Sequence, residues 1–200
     1  MINNNQSINK INMSQLPNFH VAVLATDGFE VTELTEPVAA LKAAGAQVSI
    51  LSLKGDKIRG FRHELDNAVE IEVDRLIRDV SATVFDAVHL PGGTVNADKL
   101  RMAPEVKAFL CATQAAGKPI SAICHAPWEL VSAGLVRGRT LTSCHSIQDG
   151  IHNAGGNWLD KEVVADGNWV TSRKPEDLPA FNRAMISLFS ESRSTVAMKA

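Results

Sequence analysis

No apolar stretch in these 200 residues approaches the roughly 18 to 20 that a membrane-spanning helix requires, and the opening segment, MINNNQSINKINMSQLPN, holds no apolar block of the kind a secretory signal needs. A soluble, unexported, cytoplasmic chain with no membrane partner is therefore expected. Excess charge is also lacking. Twenty Lys+Arg stand against 22 Asp+Glu, a net charge of −2, so no electrostatic field draws the chain toward phosphate backbones and nucleic acid is not expected as a structural partner. Cysteine is scarce. Cys111, Cys124 and Cys144 are an odd number in a chain too long to need staples, which argues against a disulfide framework. Repeats and low-complexity linkers are missing, and a content of 45% hydrophobic and 21% charged residues excludes disordered, collagenous and coiled-coil classes.

What is present is alternation of strands and helices. Residues 1–18 are Asn-rich and are expected to be a flexible leader, 19–192 a single domain, and 193–200 a tail. FHVAVLAT is a short apolar strand, and DGFEVTELTEPVAALKAAG carries Leu34, Val38 and Leu41 at helical spacing and stops at Gly45. AQVSILSL follows as a strand, completing a parallel βαβ unit. Residues 54–74 suggest a small hairpin or edge addition. FDAVHLPGG is an apolar strand entering a double-Gly turn, and PEVKAFLCATQAAG is a helix with Pro104 in its first turn, in which mid-helix Cys111 is expected in the core. KPISAIC is the next strand, and Pro127 opens a helix that ends at Gly134. A strand at TLTS, a helix at 146–154, strands KEVVAD and NWVTS around Gly167 and a helix at 175–190 complete the chain. The fold class predicted is α/β, a doubly wound, flavodoxin-like three-layer α/β/α sandwich with a mostly parallel sheet, in which ligands gather beyond the carboxyl ends of the strands.

Two segments lie at such ends. In LPGG the glycines let backbone N–H groups turn toward a ligand without Cβ obstruction. In AICHAP a strand ends on Cys124 and a helix begins about three residues later, with Ala122 and Ala126 supplying the small flanking residues that a nucleophile elbow requires. The helix N-terminus beyond the elbow favours thiolate over thiol, which would lower the pKa of Cys124. The alternative is a buried structural cysteine. Glu30 and Glu33 in FEVTEL are three apart on one face of a helical turn, either to reach the elbow or simply to complement the helix dipole.

At these residues the sequence resembles the PfpI family of intracellular cysteine peptidases and deglycases, within the class I glutamine amidotransferase-like superfamily. The resemblance spans about Phe19 to Phe189 and rests on DGFEVTELTEP, LPGG, AICHAPWELVSAGLVRGRTLTS and NAGGNWLDKEVVADGNWVTSRKPEDLPAFNRA, in that order. It implies Cys124 as nucleophile and His125 as its imidazole partner. It also implies an acidic third member from a neighbouring subunit, best matched by Asp98 through a one-residue insertion. Gly93 and His125 would provide an oxyanion hole from their backbone N–H groups, with Gly92 beside them in the substrate pocket. A glutamate would hydrogen-bond the sulfur, Glu33 by alignment and Glu30 as second choice. An intersubunit Asp98 implies a homodimer or larger homo-oligomer.

One departure from the family pattern is Cys144-His145, where Tyr-Pro or a histidine followed by Pro is usual. Cys144 either fills a wall of the pocket or resolves an oxidised Cys124. Arg173 either meets an anionic substrate or makes a surface ion pair. His89, inside an apolar strand, is expected to be a satisfied core histidine. No metal is expected, because neighbouring residues on a strand point to opposite faces and zinc-type spacing is absent, and no cofactor is implied. The function expected is hydrolysis of small aldehydes such as methylglyoxal or glyoxal, or of their early adducts on amines. A redox-sensing stress protein or chaperone and an intracellular cysteine peptidase are the alternatives.

Overall fold

The computed structural model describes residues 15–62 and 66–197. The expected leader falls almost wholly outside the described residues. The core, however, takes up the chain before Phe19. Leu16 is fully buried and its amide donates to the carbonyl of Ala44 at 2.8 Å.

In chain order the elements are β1 (His20–Leu24), α1 (Val31–Ala43), β2 (Gln47–Ser52), β3 (Lys57–Arg62), β4 (Asp66–Glu72), β5 (Arg75–Leu76), β6 (Ala87–Leu90), α2 (Thr94–Met102), α3 (Pro104–Ala115), β7 (Ile120–Ile123), α4 (Pro127–Ser132), β8 (Thr140–Leu141), α5 (Gln148–Asn153), β9 (Asn157–Trp158), β10 (Val163–Asp166), β11 (Trp169–Ser172) and α6 (Leu178–Ala197). Seven strands form the main sheet in the order β10-β11-β7-β6-β1-β2-β5. Only the β10–β11 pair within it is antiparallel. The hairpin foreseen within residues 54–74 is β3–β4.

Both faces of the sheet are covered, so its strands are apolar throughout rather than alternating. Along β1, Ala22 and Leu24 enter one core cluster with Leu100, Leu110 and Leu130 of α2, α3 and α4. Val21 enters another, with Leu41 of α1 and Phe181, Met185 and Phe189 of α6. Helices α1 and α6 pack together on one side, and α2, α3, α4 and α5 on the other. This is the α/β/α sandwich expected.

Three details differ from the sequence expectation. Helix α2 was not foreseen, because its buried stripe is Asn96, Ala97 and Leu100, which has little apolar periodicity. Cys111 is exposed, since the buried stripe of α3 is Val106, Phe109, Leu110 and Thr113 and position 111 lies outside it. Helix α6 continues to Ala197, beyond the expected end at 190 and into the segment read as a tail.

Candidate active site

Strand β7 delivers Cys124 to the carboxyl edge of the sheet, where the chain reverses into α4. Cys124 has φ +61°, one of three described non-glycine residues with positive φ. For an L-residue that conformation costs about 1 to 2 kcal/mol and persists only where surrounding contacts over-determine it. Here its amide donates to the carbonyl of Ser172 at 3.0 Å and its carbonyl accepts from the amide of Cys144 at 2.8 Å. Ala122 and Ala126 are fully buried on either side. The strained backbone turns the sulfur off the sheet and into an open pocket of roughly 690 Å³ lined by Gly28, Phe29, Glu30, Glu33, Phe61, Gly93, Thr94, Val95, Cys124, His125 and Pro175.

Glu33, in the first turn of α1, is fully buried beside this sulfur. Its placement begins with Pro37. A proline lacks the N–H that would bond the carbonyl four residues earlier, which is that of Glu33. His89 of β6 takes the freed acceptor, with Nε2 3.0 Å from the Glu33 carbonyl oxygen. Nε2 therefore carries the proton, and Nδ1 accepts from Ser121 Oγ at 3.0 Å. Burial holds the His89 pKa down to about 4, so the ring is neutral at physiological pH and is the satisfied core histidine expected. The carboxyl of Glu33 then accepts the Gly92 amide on Oε2 at 3.0 Å. Burial outweighs the hydrogen bonds from Cys124 and Gly92 and pushes the Glu33 pKa up to about 8. Glu33 is thus protonated at neutral pH. With Oε2 accepting from Gly92, the proton is left to Oε1, which is buried and has no hydrogen-bond partner among the described residues.

His125 Nδ1 lies 3.2 Å from Cys124 Sγ. Its Nε2 lies 3.0 Å from Ser146 Oγ and 3.4 Å from Thr94 Oγ1. Cys144 completes the cluster, its sulfur within 4.8 Å of that of Cys124. A hydrogen bond from Cys124, with others from His125 and Ser146, holds the Cys144 pKa down to about 3. The thiol of Cys124, donating that bond, buried, and facing both Glu33 and the Cys144 thiolate, is pushed up. The expectation of a lowered pKa at Cys124 is corrected accordingly. A helix end contributes only about half a charge, and a full negative charge on the adjacent sulfur outweighs it.

The remaining candidates lie as follows. Glu30 is the N-cap residue of α1 and lines the pocket, with its amide donating to the Gly92 carbonyl at 3.2 Å. Gly93 has φ +94°, and a Cβ there would come within 2.7 Å of the Glu30 nitrogen. Gly92 is buried and committed to Glu33 rather than lining the pocket. A Cβ at this position would lie 2.7 Å from Cys124 Cβ, so only glycine permits the close approach. Asp98 is exposed on α2, on a helix rather than the loop that a Gly-Gly turn alone suggested, and does not line this chain's pocket. Arg173 does not line the pocket and is engaged by Asp160 at 2.6 Å and Asp177 at 2.8 Å, the ion-pair alternative.

Sequence reasoning missed Thr94, Ser146, Phe29, Phe61 and Pro175. The signal nearest to hand was Pro37, whose four-residue offset from Glu33 marks a freed carbonyl. The premise used against a metal also needs correction. The positive φ at 124 lets Cys124 and His125 face the same cavity, and with Cys144 they offer two sulfurs and an imidazole nitrogen within 4.8 Å of one another.

Residues 19–188 match the DJ-1/PfpI family. A deglycase of Thermococcus kodakarensis is 39% identical over 168 residues, covering 84% of this chain and 98% of the relative. Protein/nucleic acid deglycase 2 of Escherichia coli is 41% identical over 170 residues, 84% of this chain and 96% of the relative. The crystal structure of Drosophila melanogaster DJ-1beta superposes with a TM-score of 0.78 at 28% identity, covering 90% of this chain and 98% of that one. With the family matched across nearly the whole of the described sandwich, and relatives near 40% identity aligned almost end to end, the chain belongs to the DJ-1/PfpI family.

Proposed function

We propose that this protein is a cofactor-independent cysteine hydrolase acting on methylglyoxal or glyoxal and on their early adducts with amines. The observation that carries this reading is the strained elbow: Cys124 at φ +61°, its sulfur 3.2 Å from His125 Nδ1 and beside the protonated, buried Glu33. Cys124 adds through sulfur to the substrate carbonyl carbon as its proton passes to His125 or to the Cys144 thiolate. The resulting oxyanion is received by the amides of Gly93 and His125, which border the same pocket. Protonated Glu33 excludes a competing anion from the pocket floor. The names of the two deglycase relatives support the substrate class.

Phe29, Phe61 and Pro175 border this pocket, and the deglycase names of the two relatives favour the aldehyde-derived substrates over the peptidase reading. The acidic partner of His125 is assigned to Asp98 of a second copy, in a homodimer or larger assembly acting in the cytoplasm. Incubation with methylglyoxal while following lactate, for wild type and Cys124→Ala, tests the proposal. Lactate formation that depends on Cys124 is expected. Equal rates for the two proteins, or none at high protein concentration, would shift the weight to the redox-sensing alternative.

A further inference from the structure

Cys144 does not line the pocket, yet its sulfur lies within 4.8 Å of that of Cys124. The two residues are also tied through the backbone, the amide of Cys144 donating to the carbonyl of Cys124 at 2.8 Å. Adjacent chains joined by such a bond have Cα atoms about 5 to 6 Å apart, within the span a disulfide bridges. Cys144 sits just before a short 3-10 turn, with φ −50° and ψ 137°. Both cysteines are half-buried and within reach of a small oxidant.

We propose that Cys124 and Cys144 form a redox-active pair that reduces hydroperoxides and closes to an intramolecular disulfide, switching the site off reversibly. The resting pair holds one thiol and one thiolate. Cys124 passes its proton to Cys144 and its sulfur attacks the peroxide O–O bond, giving Cys124 sulfenic acid and releasing hydroxide or alkoxide. The Cys144 sulfur then attacks the sulfenyl sulfur, the S–S bond forms, and the hydroxyl leaves with the Cys144 proton as water. The pair is oxidised by two electrons and the peroxide reduced by two. A small thiol reductant reopens the disulfide by exchange. Without the second sulfur the sulfenic acid would persist and advance to sulfinic acid, which such reductants do not reverse.

The test uses the full chain carrying Cys111→Ser, which removes the exposed cysteine on α3 and leaves the pair alone. After equimolar hydrogen peroxide and acid quenching, intact mass should fall by about 2 Da, and thiol alkylation should be blocked until dithiothreitol is added. With Cys144→Ser or Cys144→Ala added, one equivalent of peroxide should raise the mass by about 16 Da and two or more equivalents by about 32 Da, and the latter gain should persist after dithiothreitol. A gain of about 32 Da in the Cys111→Ser protein itself, or equal yields of sulfinic acid with and without Cys144, would overturn the proposal. These readouts are masses and do not depend on which substrate the site hydrolyses.

Discussion

The amide of Gly92 donates to Oε2 of Glu33 at 3.0 Å, joining the turn after β6 to the first turn of α1 across 59 positions of sequence. This single bond occupies Oε2 and leaves the proton to the unpartnered Oε1. Glutamine keeps the acceptor for Gly92 in its carbonyl oxygen and puts a neutral NH₂ in place of the protonated oxygen. Wild-type activity is expected to fall as pH rises through about 8, where Glu33 ionises beside the sulfur. Glu33→Gln should stay within about tenfold of wild type at pH 7 and lose that alkaline limb, while Glu33→Leu should lose on the order of 100-fold. Rate profiles from pH 6 to 9.5 check this, and a limb that survives in Glu33→Gln would assign it to another group.

Because the negative charge of the sulfur pair rests on Cys144, iodoacetamide at pH 5 should label the pair faster than the more exposed Cys111. Cys124→Ala removes the largest hydrogen bond to the Cys144 thiolate, so the labelling midpoint of Cys144 should move upward in pH. Peptide mapping by mass spectrometry reports both. Preferential labelling of Cys111 would refute a thiolate on Cys144.

Asp98 stands exposed on α2, away from its own chain's pocket, and an imidazolium at His125 needs a carboxylate to orient it. If a second copy supplies it, Cys124→Ala and Asp98→Ala are each inactive alone but complement one another. With statistical exchange about half the dimers are mixed and each has one intact site of two, so recovery should approach a quarter of wild type. Zero recovery with exchange confirmed by native mass spectrometry would remove Asp98 from the shared site.

Glu129 of α4 is fully buried with neither carboxyl oxygen hydrogen-bonded among the described residues, and burial pushes its pKa well up. Glu33 shares the direction, from an ordinary value of 4.5 to about 8. Below about pH 4.5 both are protonated, folded or unfolded, and neither opposes folding. Above it the unfolded chain ionises while the folded chain does not, so each group subtracts up to about 1.4 kcal/mol per pH unit until its folded pKa is passed. Glu129→Gln should therefore gain stability relative to wild type as pH rises from 5 to 8, measured by urea unfolding. A difference independent of pH would mean that Glu129 is ionised in the folded state.

The sequence by itself determined the layered α/β architecture, because strands buried on both faces must be apolar throughout and the intervening helices must present one apolar stripe each. It also marked the elbow, since Ala122, Cys124 and Ala126 meet a steric rule that is local to the turn. Local pattern failed where an inward face was polar or a stripe was narrow. Helix α2 turns Asn96 inward to receive the Thr26 amide and to donate to the carbonyls of Pro91 and Gly92, so it carries little apolar period. Cys111 falls beside the stripe of α3 rather than within it.

Tertiary structure alone decided the chemistry of the site. Glu33 and Gly92, Pro37 and His89, and Cys124 and Cys144 meet only when the parallel strands stack and bring their carboxyl-end loops together. The protonation of each group follows from burial and from charges contributed by other elements, neither of which is written in the segment that holds it. For that reason a spacing could single out Cys124 as reactive, but only the assembled sheet edge places the thiolate on Cys144 and the proton on Glu33.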